Sequence, residues 1–264
     1  MTEWLAVCRE AVEDVRGVLR ELPTRADREP VVGAGMGGDD TTAIDAAAER
    51  VILRRFETLD DDLTIVSEEL GVKGNGRTYL VVDPIDGSLN AKRGVPFFSL
   101  SVAVASGPTM ADVDFGFVHD FGTNEEWVAR RSEGAWLNDV QLDGEGPKDR
   151  IEILSFEATR TASVADKARA VVDLAYRLRI MGSLALSLCH LAAGRVDAVC
   201  SLKPARSVDI AAAQLLVRER GLAIELPDDD LPFGEALLDL EGRSRVVAAG
   251  NSDLCRQLAA ALSA

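Results

Sequence analysis

The run "TYLVVDPIDGSLN", Thr78 to Asn90, narrows the folds open to this chain more than any other stretch. Its first half is apolar and rich in β-branched residues, which predicts a buried strand over 79–83. The strand then runs into a kinked, acidic, glycine-containing turn, with Asp83 and Asp86 on either side of Pro84 and Ile85, followed by Gly87, Ser88 and Asn90. Loop tips carried on rigid strands are frequent sites of chemistry. The same residue types also favour an ordinary surface turn, so this stretch alone leaves both readings open.

The surrounding pattern supplies a sheet. "DLTIVSEELG" reads as a short strand entering an acidic turn; "FFSLSVAVA", "VDFGFVHD" and "EEWVARR" read as three more strands in an antiparallel meander. "GAWLNDVQL" carries a hairpin-like turn at Asn138-Asp139. Residues 3–20 place Leu5, Ala6, Cys8, Val12, Val15 and Leu19 near one face of an amphipathic helix. A second helix begins in "TTAIDAAAERVILRRFETL", with Thr41 or Thr42 as its N-cap. Between these helices "VVGAGMGGDD", Val31 to Asp40, is glycine-rich and predicts a mobile segment.

Residues 140–150, "VQLDGEGPKDR", are polar with Gly and Pro and mark a junction. Beyond it the elements alternate: strand near 151–156, helix from about 163, strand near 178–180, helix 183–193, strand 196–200, helix 209–220, strand 221–225, strand 245–249 and helix 252–262. The chain therefore divides into an α+β half, 1–145, and an α/β half, 146–264, with a ligand cleft expected between them.

Composition excludes several classes. With 264 residues and 47% apolar content, the chain can bury the core of one large domain or of two small ones that share it. No apolar run approaches the roughly 18 residues of a membrane span. The first helix carries acids and arginines throughout, unlike a signal peptide. Cys8, Cys189, Cys200 and Cys255 are scattered, without C-x-x-C spacing, and read as small buried residues in a reducing cytoplasm. The only two histidines, His119 and His190, argue against a His-rich zinc site and read as core or surface residues, and Trp136 is expected in the core. The net charge of −15 disfavours nucleic acid as a partner. "GAGMGG" lacks the strand–helix frame of a dinucleotide fingerprint. Only five of the 29 basic residues are lysine, a balance that fits either a high-salt cytoplasm or a GC-rich genome.

Three acidic turns remain: Glu68-Glu69 in "VSEEL", Asp83 and Asp86 in "DPIDGS", and Asp209 in "RSVDIAAAQLL". Taken singly, Glu68-Glu69 fits a solvated turn and Asp209 a helix cap. Brought together, such acids would be costly unless hard divalent cations sat among them. Mg²⁺ prefers oxygen ligands, and two such ions can activate water and stabilise a leaving oxygen in phosphoryl transfer.

In this order "SEE", "DPIDGS" and "VDIAA", with "GVPFFSLSVAVA", "EGAWLND" and "RIMGSLALSLCHLAAGRVDAV" between them, resemble the inositol monophosphatase family of lithium-sensitive, metal-dependent phosphatases, over roughly residues 30 to 255. "DPIDGS", "GVPFF" and "KPARSVDIAA" look most like the archaeal members that act on both inositol monophosphate and fructose 1,6-bisphosphate. The resemblance implies a layered αβαβα sandwich of the sugar-phosphatase type, a homodimer, and two or three Mg²⁺ per active site.

Carried over residue by residue, it implies that Glu68, Asp83 and the Ile85 carbonyl bind one Mg²⁺, and that Asp83, Asp86 and Asp209 bind a second. Ser88 would orient the attacking water with Glu68, and Asp45 would hydrogen-bond the Ser88 hydroxyl. The N–H groups of Gly87 and Ser88 would hold the phosphate, as helix starts do. Gly182 and Ser183 would line the substrate pocket, and Asp39 or Asp40 would assist a third ion. Leu202 departs from the pattern, because animal members carry there a Glu that contacts inositol. Lys203 and Arg206 lie nearby and would meet a second phosphate instead. Val208 replaces the usual Trp, and Leu89 an aromatic or Thr. Arg179 reads as a substrate or surface residue and Arg177 as a surface one. The implied function is Mg²⁺-dependent phosphomonoester hydrolysis. Alternatives are a 3′-nucleotidase on adenosine 3′,5′-bisphosphate, a histidinol-phosphate phosphatase, or a regulatory binding protein related to the phosphatases.

Overall fold

The computed structural model describes residues 2–36, 38, 40–57, 59, 62–144, 146–157 and 160–263. The chain opens with α1 (Thr2–Glu21) and the short α2 (Arg25–Arg28), then pairs β1 (Val31–Ala34) with β2 (Asp40–Thr42) and enters α3 (Ala43–Phe56). Six strands and one short helix follow: β3 (Leu63–Ser67), β4 (Gly71–Gly74), β5 (Thr78–Asp86), α4 (Ser88–Arg93), β6 (Ser99–Ala105), β7 (Val113–Asp120) and β8 (Glu126–Arg130). The hairpin β9 (Gly134–Leu137) and β10 (Val140–Gln141) completes an eight-stranded sheet in the order β10-β9-β8-β7-β6-β5-β3-β4. All its neighbours are antiparallel except β3 and β5. Asn138 and Asp139 turn the final hairpin with φ of 50° and 63°, the left-handed pair that matches strand twist.

The second half contributes β11 (Ile151–Glu157), α5 (Thr161–Ala168), β12 (Ala175–Arg179), α6 (Leu184–Ala192), β13 (Ala198–Ser201), α7 (Ser207–Glu219), β14 (Ala223–Glu225), β15 (Val247–Ala249) and α8 (Ser252–Ser263). Its five-stranded sheet runs β12-β11-β13-β15-β14, with β11 parallel to both β12 and β13.

Period-two burial stacks these elements into five layers. In the large sheet, Leu80, Val82, Leu100, Val102, Phe115 and Phe117 face α1 and α3, meeting Val12, Val15, Ile52 and Phe56. The opposite face, with Val81, Ala103 and Val118, meets α6 and α7 through Leu186, Leu188, Ala212 and Leu215. The second sheet covers the other side of those helices with Val199 and Ala248. Its outer face, Leu154, Phe156, Cys200 and Val247, packs on α8 through Cys255, Leu258 and Leu262. The result is the αβαβα sandwich, and its central core draws residues from both halves of the chain. None of the described helices is long and apolar enough to cross a membrane.

Several expectations shift in detail. The two ends of the glycine-rich segment, Val31–Ala34 and Asp40, take part in the β1–β2 pairing, with β-branched Val31 opposite Thr42. β4 is added at the sheet edge, where the Gly-rich "GVKG" gave no strand signal. Trp136 is half-buried with Arg130 over its ring at 5.4 Å, and Trp127 is the tryptophan that is fully buried. Arg177 and Arg179 are exposed, whereas all four cysteines are buried and free.

Gly116 shows how closely α7 is seated on β7. A Cβ there would come within 2.5 Å of the Ala212 carbonyl oxygen. Gly116→Ala should therefore destabilise the protein by about 1–3 kcal/mol through overpacking, read as a lower urea midpoint at unchanged slope. An unchanged midpoint would mean that this seam is loosely packed.

Candidate active site

Strand register brings the first acids together. Parallel pairing sets Ser67 of β3 opposite Val82 of β5, so Glu68 and Asp83 come next to each other at the ends of adjacent strands. Val81 belongs to the core on the α7 side, and alternation turns Asp83 to that face too. Pro84 has no N–H to give β6, and the pairing slips there: Asp83 faces Ser101 and Asp86 faces Ser99. The slip keeps both aspartates at the sheet end. Asp209, in the first turn of α7, accepts the Arg206 backbone N–H at 2.7 Å and is at once a helix-start acid and a member of the site. Carboxylate oxygens of Glu68, Asp83 and Asp209 lie within 4.8 Å of one another.

Neighbouring elements fix these acids. Glu49 of α3 accepts the Ser67 hydroxyl and the Leu70 N–H, the latter at 2.9 Å, which braces the turn carrying Glu68. Asp86 Oδ2 accepts the Ser183 hydroxyl and, at 2.9 Å, the Ala185 N–H. The Ile85 N–H donates to Asp83 Oδ1 at 3.1 Å, and the Ser88 hydroxyl donates to the Ile85 carbonyl at 2.9 Å. Gly87, at φ 91°, starts α4, and a Cβ there would come 3.0 Å from the Gly182 carbonyl oxygen and 3.1 Å from that of Phe97. Only glycine allows this approach of the two halves.

Glu68, Asp83, Asp86, Gly87, Ser88, Gly182, Lys203, Arg206 and Asp209 line one cavity of about 350 Å³. Two sequence-derived placements change. Arg206, expected at a second phosphate, turns inward, with Nη2 2.6 Å from Glu68 Oε1 and 3.0 Å from Asp209 Oδ1. The pull of these buried acids on a guanidinium accounts for that direction. Asp45, expected against Ser88, instead accepts from Thr42, through its hydroxyl and its N–H at 3.3 Å, because it sits in the first turn of α3. Its Oδ1 is buried without a hydrogen-bond partner, an acceptor that calls for a donor. Asp45, Glu68, Glu69 and Ser88 also line an adjoining cavity of about 510 Å³ with Asp40, while Asp39 lies outside the described residues.

Sequence reasoning missed Glu157 and Arg243, which line the main cavity as well. Glu157 carries no motif. Arg243 arrives because Ala205 and Ser244 exchange backbone hydrogen bonds, 2.7 and 3.3 Å, a long-range bridge with no local signature. The histidines lie elsewhere: His119 is buried against Phe121, and burial together with Arg16 lowers its pKa to about 4.

The electrostatics describe a site short of positive charge. Burial pushes Glu68 up to about 7, opposed by Arg206 and aided by Asp209. Burial, then Glu68 and Asp86, push Asp83 well above its ordinary value. Burial also pushes Asp86 up to about 7, against the Ser183 hydrogen bond. Oxygen-only donors with raised proton affinity, gathered around one cavity, suit a hard divalent cation.

A layered sandwich with such an acid cluster defines the metal-dependent phosphatases. The model of the inositol monophosphatase family matches residues 2–264. The fructose-1,6-bisphosphatase/inositol-1-monophosphatase of Methanothermobacter thermautotrophicus is 34% identical, over 95% of this chain and 93% of its own. The Nus factor SuhB of Pasteurella multocida is 37% identical over 69% of this chain and 70% of its own. A crystal structure of an inositol monophosphatase-fructose 1,6-bisphosphatase superposes with a TM-score of 0.83 at 27% identity, covering 98% of this chain and 99% of that one. The chain belongs to the inositol monophosphatase family.

The acid cluster has a consequence for the metal-free protein. Glu68 has a folded pKa of about 7 against an ordinary 4.5. A carboxyl raised by folding stabilises the fold below its unfolded pKa and loses that contribution as pH rises through the folded value. In chelator, the wild-type melting temperature should therefore fall relative to that of Glu68→Gln between pH 4.5 and about pH 7, and stay level above that. A difference independent of pH would show that Glu68 is not held protonated by burial.

Proposed function

We propose that this protein is a Mg²⁺-dependent phosphomonoesterase that hydrolyses inositol 1-phosphate, fructose 1,6-bisphosphate or both by attack of water. The convergence of Glu68, Asp83 and Asp209 within 4.8 Å carries the reading. The names of the archaeal relatives support the substrates. Glu68, Asp83, the Ile85 carbonyl, Asp86 and Asp209 would hold two Mg²⁺, with Asp83 shared, and Asp40 stands beside the place for a third. Bound there, Mg²⁺ supplies positive charge to the phosphate and the departing alkoxide and makes water a better nucleophile.

The other roles fall to the chain. The N–H groups of Gly87 and Ser88 hold phosphate oxygens. Glu68 and the Ser88 hydroxyl orient the attacking water, and the unpartnered Asp45 Oδ1 offers an acceptor for a water beside them. Gly182 and Ser183 close the pocket, Ser183 through Asp86. Arg206 offsets the acids, and Lys203 and Arg243, also on the cavity wall, are the cations that would meet a second phosphate. The reading includes a homodimer and a cytoplasmic location. Edge strand β12, with Tyr176 77% exposed beside Val172 and Ile180, supports the first; four free, buried cysteines support the second.

A panel of phosphomonoesters with Mg²⁺ tests this. Inositol 1-phosphate and fructose 1,6-bisphosphate should be hydrolysed faster than adenosine 3′,5′-bisphosphate and histidinol phosphate. Preference for either of the latter would replace the substrate assignment. Inactivity on all of them would favour the regulatory role to which the Nus-factor relative points.

Asp83→Asn should lower turnover by about a thousandfold or more, the several kcal/mol of charge stabilisation that a bound metal supplies. In chelator its melting temperature should match or exceed that of wild type, since a repelling charge is gone. Near-normal turnover would end the role of Asp83.

Lys203→Ala should lower kcat/KM for the bisphosphate about tenfold more than for inositol 1-phosphate, as loss of a charge-assisted phosphate contact requires. Equal losses would assign Lys203 to the fold.

A further inference from the structure

Among the described residues on the wall of the main cavity, Glu157 is the carboxylate to which the proposed function gives no metal role. It ends β11 opposite Ser201 of β13 and is only 7% exposed. Burying a carboxylate so deeply requires donors around it. Oε1 faces the Ser155 and Ser187 hydroxyls at 2.9 and 2.8 Å, with Ser187 sharing its one proton with the Ser183 carbonyl at 2.8 Å, and has only a long contact of 3.4 Å to the Met181 N–H. Among the described residues, Oε2 receives only the Gly182 N–H, at 2.9 Å. A carboxylate oxygen has two acceptor positions, so Oε2 keeps one in hand. At the neighbouring strand end Ser201 also lines the cavity, but its hydroxyl oxygen already receives the Val246 N–H at 2.8 Å, and Leu202 packs into the core beneath the second sheet.

What would take the spare position follows from charge. A phosphate group is repelled by a carboxylate and drawn to the metal acids' cations, Lys203 and Arg243. The alcohol portion of the ester presents hydroxyl donors. We infer that Glu157 determines specificity, its Oε2 accepting a hydroxyl of the polyol portion of the substrate. This rests on the phosphomonoesterase reading above and adds to it a reason why a polyol ester is preferred to one without hydroxyls.

Glu157 also holds the Met181–Gly182 backbone, and the next residue, Ser183, bonds Asp86. The test must separate recognition from support of that turn. Rates on inositol 1-phosphate, its single-deoxy analogues and phenyl phosphate would be measured for wild type, Glu157→Gln and Glu157→Ala, with Mg²⁺ affinity by calorimetry. The wild type should lose about tenfold or more in kcat/KM when the contacted hydroxyl is removed, as a site built to bond a hydroxyl does. In Glu157→Ala that discrimination should disappear, and the ratio of inositol 1-phosphate to phenyl phosphate should fall about tenfold, mainly through KM. Mg²⁺ affinity should stay near that of wild type.

Equal losses on all esters together with weaker Mg²⁺ binding would overturn the inference and leave Glu157 as a support for Asp86. If Glu157→Ala does not fold, Glu157→Gln and the wild-type deoxy series decide: a wild type indifferent to every hydroxyl overturns it as well. Failure of the wild type to hydrolyse any polyol phosphate would sink the parent reading, whereas turnover with unchanged discrimination sinks only the role of Glu157.

Discussion

Burial of several like charges at one seam is the constraint around which this molecule is arranged. Glu68, Asp83, Asp86 and Asp209 converge where solvent is largely excluded, and each would repel the others if ionised without compensation. The protein holds them through a rigid frame. Parallel strands β3 and β5 set two of them, a proline-induced slip sets the third, and the first turn of α7 sets the fourth. Arg206 supplies internal positive charge, and the Ser183 and Ala185 donors supply hydrogen bonds. These contacts satisfy the acids in part, and their raised proton affinity measures the remaining deficit. A site with that deficit is prepared for divalent cations.

The same frame explains why the site lies between the two halves. Strand ends from both sheets reach the cavity: β3 and β5 from the large sheet, β11 and β13 from the small one. The crevice beyond the carboxyl ends of parallel strands is the usual ligand position in α/β proteins. The turn at Gly182 closes the seam. Asn90 donates to the Met181 carbonyl at 2.8 Å, Glu157 takes the Gly182 N–H, and Gly87 allows the two backbones to approach. Asp86 and Glu157 are therefore mechanically joined through one short peptide, Gly182–Ser183.

Helix starts do double duty here. Asp45 and Asp209 each occupy the first turn of a helix and each accept a backbone N–H from the residue that begins it. Read locally, both are ordinary capping acids. Their second role comes from what else lies at that helix end: Ser88 and Glu69 in the cavity beside Asp45, and Glu68 and Asp83 beside Asp209.

The chain's local patterns were enough to foresee most elements and the acidic turns that converge, and the family resemblance implied the layer order. Alternating burial on β5, β6 and β7 and the amphipathic spacing of α1 encode which faces pack together, and the acidic turns are continuous motifs. Three features lay beyond that reach. The inward turn of Arg206 depends on the field of acids from three separate segments. The bond of Asp45 to Thr42 reflects helix-start geometry rather than the neighbour a motif would suggest. Glu157 and Arg243 enter the cavity only because β11 pairs with β13 and Ser244 pairs with Ala205. Sequence alone determined the acids of the cavity floor, since a strand ending in "DPIDGS" carries Asp83 and Asp86 within a few bonds of one another. Tertiary structure decided the walls, because residues nearly a hundred positions apart become neighbours only when sheets register and loops bridge.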